Sequence, residues 1–238
     1  MSVKVIILTE GGTNIGIGHI TRCISLCDAF AERGIFPELV IKGDASLAGA
    51  LRWKPHRILN WHEERDALLD ILESASIAII DSYIATPAAY RLIADKVAVA
   101  AYIDDNNRMA YPRGHVINGS VYAEGLDYPR GVDIVYLLGS QYIPIRREFW
   151  KDSGKIIRER PERIMVTFGG DDSKRMTARI LRYLCAEFPH LRKDVVVGKM
   201  AGYGEELSRL ADKKTDIRYD LGADEMKETM MDADMAVS

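Results

Sequence analysis

The chain has 238 residues, 47% hydrophobic and 28% charged, with 32 basic and 35 acidic side chains and a net charge of −3 at pH 7. That length allows one large domain or two of ~100–150 residues, and a slightly acidic chain lacks the basic stripe that nucleic acid demands, so no nucleic-acid partner is expected. No apolar run approaches the ~20 residues of a membrane span.

The opening Met-Ser-Val-Lys-Val-Ile-Ile-Leu-Thr-Glu is too short and too acidic at its end for a signal peptide, and Val3–Leu8 reads as a strand. His19–Arg33 has helical periodicity, with Ile20, Cys23, Ile24, Cys27 and Phe30 on one face and Gly34 as the stop. Glu38–Ile41 is a second strand, and Ala45–Arg52 and Glu63–Glu73 read as helices. Ile77–Ile80 is an apolar run closed by Asp81, Pro87–Asp95 a helix with proline near its start, and Val97–Ile103 a strand closed by Asp104 and Asp105. Strand–helix alternation implies a parallel sheet covered on both faces. Asn106–Ser140 is rich in Gly, Pro, Tyr and Asn; irregular structure is expected there, with short strands at Val116–Ile117 and Ile134–Leu138.

Arg146–Arg160 is charged and ends at Pro161; it is the candidate linker, with a short helix around Arg147–Lys151. The expected division is an N-terminal domain over 1–150, a linker over 151–162 and a second domain over 163–238. In the second, Ile164–Phe168 is a strand, Lys174–Glu187 a helix, Asp194–Val197 a strand, Glu205–Ala211 a helix, Ile217–Tyr219 a strand and Asp224–Asp232 a helix. Met235–Val237 begins another apolar run, so this second sheet is expected to be incomplete. Its open edge calls for more sequence or another chain, which leaves a homo-oligomer open.

Three cysteines, Cys23, Cys27 and Cys185, argue against a disulfide framework and for a reducing, cytoplasmic setting. Cys23 and Cys27 are four apart on one helix. A zinc half-site there has no second pair to complete it, and two small buried residues are the other reading.

The sharpest local feature is Gly11-Gly12-Thr13-Asn14-Ile15-Gly16-Ile17-Gly18-His19, between a strand and a helix. Glycines there admit close approach of a ligand to backbone N–H groups, and a helix N-terminus favours an anion. The dinucleotide fingerprint is not met, because Thr21 stands where a third glycine is required, and no Gly-Lys-Ser/Thr follows for a P-loop. A phosphate cradle and a strained turn both remain open. His19 sits in the first helical turn, where the macrodipole disfavours imidazolium and leaves a ring able to accept a proton.

Thr167-Phe168-Gly169-Gly170-Asp171-Asp172-Ser173 is the matching turn in the second unit. It reads either as backbone donors for a diphosphate or as a tight turn with Ser173 as helix cap. Two such turns suggest a ligand beyond the carboxyl ends of the strands. Asp81-Ser82-Tyr83 and Asp104-Asp105 should line the same rim, as metal ligands or as loop caps.

These motifs together resemble a known family. Gly16-Ile17-Gly18-His19-Ile20-Thr21-Arg22-Cys23, Asp81-Ser82-Tyr83 and Ile103-Asp104-Asp105 look like those of the UDP-2,4-diacetamido-2,4,6-trideoxy-β-L-altropyranose hydrolases of pseudaminic acid synthesis, also described as spore coat polysaccharide biosynthesis proteins. Val116-Ile117-Asn118, Leu138-Gly139-Ser140-Gln141-Tyr142, Arg146-Arg147-Glu148-Phe149 and Ile164-Met165-Val166-Thr167-Phe168-Gly169-Gly170-Asp171-Asp172 follow in the family's order, so the resemblance spans essentially the whole chain. The wider group includes the glycosyltransferase that makes lipid II.

The resemblance implies an α/β, GT-B-like protein with two Rossmann-like parallel-sheet domains. It implies a nucleotide-sugar hydrolase that cleaves the bond between the anomeric carbon and UDP with water and with inversion. His19 is then the expected general base and Tyr83 a catalytic-site tyrosine beside the sugar. Gly16, Gly18, Arg22, Asp81, Asp105 and Asn118 are assigned to the substrate, and Gly169, Gly170, Asp171, Leu221 and Met226 to the nucleotide. UDP is a good leaving group, so one base, a positioned water and backbone donors suffice, and no metal or cofactor is required. The family continues past Ala-Asp-Met-Ala-Val-Ser with a glycine-rich loop and a Thr/Ser…Glu segment that help bind the nucleotide. The alternatives are a GT-B glycosyltransferase that deprotonates an acceptor hydroxyl, and a truncated, non-catalytic nucleotide-sugar-binding protein. A nicotinamide-dependent dehydrogenase rests on the alternating strands alone and lacks the third glycine.

Overall fold

The computed structural model describes residues 3–12, 15–44, 47, 51, 54–129, 131–151, 154–156, 158–169, 172, 174–198 and 203–238. The chain divides into two units, Met1–Arg147 and Glu148–Ser238.

The first unit is built on seven parallel strands: β1 (Val5–Glu10), β2 (Glu38–Lys42), β3 (His56–Ile58), β4 (Ile77–Asp81), β5 (Val99–Ile103), β6 (Gly114–Asn118) and β7 (Ile134–Leu138). Their order is β3-β2-β1-β4-β5-β6-β7. β1 is buried along its whole length, as an inner strand covered on both faces must be. Alternate residues feed two cores. Ile6, Leu8, Val40, Ile80 and Tyr102 pack beneath α2 (Arg65–Glu73) and α3 (Pro87–Lys96), meeting Leu68, Ile71, Tyr90 and Ile93. Val5, Ile7, Leu39, Ile41 and Ile79 meet Ile20, Cys23 and Cys27 of α1 (Gly18–Ala31). Each such buried side chain contributes about 1.5–3 kcal/mol. The two α1 cysteines are therefore core residues.

β1 has β2 on one side and β4 on the other. The chain thus winds outward in opposite directions from this pair, and the loops after β1 and β4 part. That is the topological switch point, where a crevice opens beyond the strand ends.

The second unit has β8 (Arg163–Thr167), β9 (Arg192–Val197), β10 (Thr215–Tyr219) and β11 (Met235–Val237) in the order β10-β9-β8-β11, all parallel. Its helices are α4 (Met176–Glu187), α5 (Gly204–Leu210) and α6 (Ala223–Asp232). The order repeats β3-β2-β1-β4 of the first unit.

Several boundaries differ from the sequence reading. β3 has no counterpart there: its three residues are exposed and carry no alternating pattern. β9 begins two residues early, because buried Lys193 donates to the Leu191 carbonyl (3.1 Å) and to Asp212 (2.7 Å) and so is satisfied inside the sheet layer. Around Arg147–Lys151 there is a single 3-10 turn, Arg147–Phe149. The stretch read as a linker is tied to the second unit, through Lys155 to the Met230 carbonyl (3.0 Å) and Arg158 to Asp234 (2.7 Å). The helix expected over 45–52 lies, apart from residues 47 and 51, outside the described residues.

The junction between β1 and α1 is tight. A Cβ placed on Gly11 would lie 2.5 Å from Ile20 Cγ1 and 3.1 Å from the Gly16 carbonyl oxygen. Ile20 is buried in the core and cannot yield. Gly11→Ala is expected to cost about 1–3 kcal/mol by overpacking, seen as a lower urea midpoint; an unchanged midpoint contradicts this packing.

Candidate functional site

The chain leaves β1 and doubles back at once. Gly12 and Gly16 exchange backbone hydrogen bonds, N–H to O, of 3.1 and 2.8 Å, and both take positive φ, +137° and +83°. Glycine is the residue that adopts this backbone without strain. The turn delivers the chain to α1, whose N-cap position is Ile17, a side chain with no oxygen to cap the first amides, and whose first turn has no acidic residue. The positive end of α1 therefore stands at the switch point with no side-chain cap of its own. Gly18 follows with open space where a Cβ would be and no positive φ, so no internal contact demands glycine there.

His19 and Arg22 are three apart on α1 and share a face. Both reach Asp81 at the end of β4. His19 Nδ1 lies 2.7 Å from Asp81 Oδ1. Arg22 donates through Nε to Asp81 Oδ2 (2.8 Å) and through Nη2 to Oδ1 (2.7 Å), a bidentate fork, and through Nη1 to Asp105 Oδ1 (2.7 Å). Asp81 is 0% exposed. A carboxylate that already accepts two guanidinium donors is an acceptor toward the imidazole too. In the neutral ring, Nδ1 then carries the proton and Nε2 the lone pair. Cys23 Sγ adds a weak donor at 3.7 Å from Asp81 Oδ2. Burial, and then Asp81, hold that thiol well above its ordinary range, so it is no nucleophile.

Tyr83 completes the cluster. Its hydroxyl donates to Asp105 Oδ2, and its ring meets His19 edge-on, with centroids 4.6 Å apart and planes at 88°. Desolvation, followed by the bond to Asp105, raises the phenol to about 12, so it stays protonated at neutral pH. Burial pushes the Asp105 carboxyl up, but Arg22 and Tyr83 outweigh it and the net shift is downward. Burial likewise pulls the Arg22 guanidinium down, and Asp81 and Asp105 more than reverse it. Asp81 and Asp105, which also admitted a metal reading, are bridged by this permanent cation. Among the described residues no group of three or more His, Cys, Asp or Glu side chains suits a metal ion.

The structure thus brings together His19, Arg22, Asp81, Tyr83 and Asp105, with Gly16 and Gly18 on the adjoining turn. Asn118 is apart from them. It is fully buried, donating to the Tyr128 hydroxyl (3.0 Å) and accepting from the Ser120 amide (2.9 Å), while Tyr128 donates to Asp104 (2.7 Å). Two residues missed in the sequence stand behind Tyr83. Glu10, buried at the end of β1, accepts from the Tyr83 amide (2.7 Å), and Arg108 donates to the Tyr83 carbonyl (3.0 Å). Glu10 was legible in principle, since it closes an apolar run as Asp81 and Asp104 do. Arg108 is an exposed loop arginine with no pattern around it.

In the second unit, Gly169 has φ +76° and open space around it, while Gly170, Asp171 and Ser173 lie outside the described residues. The Asp172 carboxylate accepts from the Met176 and Thr177 amides (2.8 Å each) and from the Tyr203 hydroxyl, so it caps α4. Leu221 and Met226 pack against Met165, Val196 and Ala233.

No protein-family model matches the chain. The uncharacterized protein MJ1062 of Methanocaldococcus jannaschii is 22% identical over 250 residues, covering 99% of this chain and 51% of that protein. The chain thus spans about half the length of the curated relative it matches. Among solved structures, Acinetobacter baumannii MurG gives a TM-score of 0.60 at 10% identity, over 98% of this chain and 72% of that one. UDP-GlcNAc 2-epimerase from Neisseria meningitidis, bound to UDP-GlcNAc, gives 0.54 at 11% identity, over 97% and 76%. The glycosyltransferase SnogD from Streptomyces nogalater gives 0.53 at 13% identity, over 93% and 72%. At such identities the likeness shows the fold: two parallel-sheet α/β units matching GT-B glycosyltransferase structures. No described helix is long and apolar enough to cross a membrane.

The lowered carboxyl of Asp105 gives a pH test. A folded pKa below the ordinary 3.8 means a stabilising contribution that is full above that pH and is lost as pH falls through the folded value. Asp105→Asn should unfold more easily than the parent at neutral pH, and the two urea midpoints should converge below pH 3.8. A gap that persists in acid contradicts the Asp105–Arg22–Tyr83 contact.

Proposed function

We propose that this protein is a nucleotide-sugar enzyme that releases UDP from a UDP-amino-deoxysugar by attack of water on the anomeric carbon, with inversion. The observation that carries the reading is the 2.7 Å contact of His19 Nδ1 with buried Asp81 at the switch point of the first sheet. That contact leaves Nε2 as the basic nitrogen and holds the ring plane. A water on Nε2 loses its proton as its oxygen bonds to the anomeric carbon, and the carbon–oxygen bond to UDP breaks with its electron pair leaving on the phosphate. Asp81 stabilises the imidazolium that forms, and Arg22 keeps Asp81 from being a lone buried charge.

Other features support the same substrate class. Gly18, with nothing internal to require it, suits close approach of a ligand to the backbone beside the open end of α1. Tyr83 is half exposed and gives its single hydroxyl proton to Asp105, so its oxygen is an acceptor for a sugar hydroxyl or amide N–H. Two of the fold neighbours named above, the UDP-GlcNAc 2-epimerase bound to UDP-GlcNAc and the glycosyltransferase SnogD, are nucleotide-sugar or glycosyl-transfer proteins by their own descriptions. The glycine turn at Gly169–Gly170, with Asp171, Leu221 and Met226, is the part of the second unit we assign to UDP. The resemblance carried by the sequence motifs supports a role in cell-surface polysaccharide or pseudaminic-type acid synthesis, inside the cell. A glycosyltransferase would use the same His19–Asp81 pair on an acceptor hydroxyl, and the likeness to the glycosyltransferase SnogD favours that second reading.

The test is UDP release from UDP-diamino- and UDP-N-acetyl-sugars in ¹⁸O-water. The expected result is label on the anomeric carbon and none in UDP, with a loss of about 10²–10⁴-fold in His19→Ala and a large loss in Asp81→Asn. Label in the phosphate, or a His19→Ala protein as fast as the parent, overturns the mechanism. Turnover that needs an added hydroxyl acceptor selects the transferase.

A further inference from the structure

Tyr83 lies on a short exposed turn, 45% exposed itself, where a side chain is ordinarily mobile. Its backbone is held with unusual completeness. The peptide unit before it is bound at both ends: the Ser82 carbonyl accepts from Arg108 Nη2 (2.9 Å), and the Tyr83 amide donates to Glu10 Oε1 (2.7 Å). The peptide unit after it is bound the same way: the Tyr83 carbonyl accepts from Arg108 Nη1 (3.0 Å), and the Ile84 amide donates to Glu10 Oε1 (3.3 Å). Both peptide dipoles flanking one Cα thus lie between a fixed anion and a fixed cation. With both planes held, φ and ψ of Tyr83 are held, and only its side-chain torsions remain. The hydroxyl is then tied to Asp105.

Each half of this clamp has its own backing. Glu10 is buried, accepts the Ser82 hydroxyl, and lies 3.4 Å from His62 Nε2. His62 stacks on Trp61 (3.8 Å between centroids), and Trp61 Nε1 donates to the Thr9 carbonyl (2.9 Å). The Arg108 guanidinium donates to the Tyr90 hydroxyl (2.9 Å) and stands 5.7 Å above that ring. Charge-assisted bonds of this kind are the stronger class. Four of them converge on the peptide units either side of Tyr83, where Tyr83 and Ile84 are two exposed residues between buried Ser82 and Ala85.

We infer that Glu10 and Arg108 are positioning residues that set the place of Tyr83 against His19 and the sugar. This inference rests on the nucleotide-sugar reading of the site and adds two residues to it. Neither touches the substrate; both act through Tyr83. A reacting group displaced by ~1 Å loses up to about 10²-fold in rate, which is the size of effect the clamp guards against.

The test pairs a structural and a kinetic readout. The protein is labelled with 3-fluorotyrosine, and the Tyr83 resonance is assigned by Tyr83→Phe. Arg108→Met alters an exposed side chain, and Glu10→Gln keeps shape while removing charge, so a folded variant is available on each side. Both are expected to shift the Tyr83 fluorine resonance, while tyrosines remote from Arg108 keep theirs. With the UDP-sugar that the parent turns over, each is expected to lower kcat by about 10–10²-fold and to cause no further loss in a Tyr83→Ala background. Arg108→Lys, which keeps one charged donor, recovers part of the loss. An unmoved Tyr83 resonance overturns the inference, as do losses that multiply with that of Tyr83→Ala. A parent protein that turns over no UDP-sugar overturns the functional reading instead, and the fluorine spectrum then decides the clamp alone.

Discussion

A carboxylate with no contact with water costs several kcal/mol unless it is paired and hydrogen-bonded. Asp81 is such a group, and Arg22, His19 and Cys23 all turn to it. Much of the first unit follows from that requirement. His19 and Arg22 must fall on one helical face, which their spacing of three achieves. The first turns of α1 must lie over the end of β4, which requires the chain to double back within a few residues of β1. Gly11 lacks a Cβ where Ile20 presses on it, and Gly12 and Gly16 take the positive φ values of the return. The same pairing orients the imidazole. One interaction thus adds to the core packing that holds α1 over the sheet and selects the basic nitrogen of the site.

The two units share a plan and use it differently. In the first, the glycine turn leads to a helix end with no side-chain cap. In the second, the corresponding helix has its first amides taken up by Asp172, whose carboxyl is lowered because its bonds to Tyr203, Thr177 and Met176 overcome the effect of burial. That helix end already has its anion. A repeated strand order therefore does not mean a repeated site.

How far the sequence reads follows from what kind of force sets each feature. The inner strands were legible because burial on both faces writes continuous apolar runs such as Val5–Leu8 and Ile77–Ile80. α1 was legible from Ile20, Cys23 and Cys27 at helical spacing. β3 was not, because its three residues are exposed and held by backbone pairing, which leaves no composition signal. In the site, His19, Asp81, Tyr83 and Asp105 were legible as polar residues at strand ends beside a glycine turn. Asn118 has the same placement, yet its amide is taken up inside the fold by Tyr128 and Ser120. Arg22 bridging two carboxylates, and Glu10 and Arg108 clamping a turn, depend on contacts between residues far apart in the chain, which no local pattern announces.

The state of the His19 ring is the most direct measure of the Asp81 contact. Imidazole ¹⁵N spectra at neutral pH, with His19 assigned by His19→Gln among the five histidines, report which nitrogen bears the proton. The expected spectrum has Nδ1 protonated and Nε2 with a free lone pair, and Asp81→Asn mixes the two tautomers. A ring protonated on Nε2 alone, or a spectrum that Asp81→Asn leaves unchanged, contradicts the role of Asp81 in selecting the basic nitrogen.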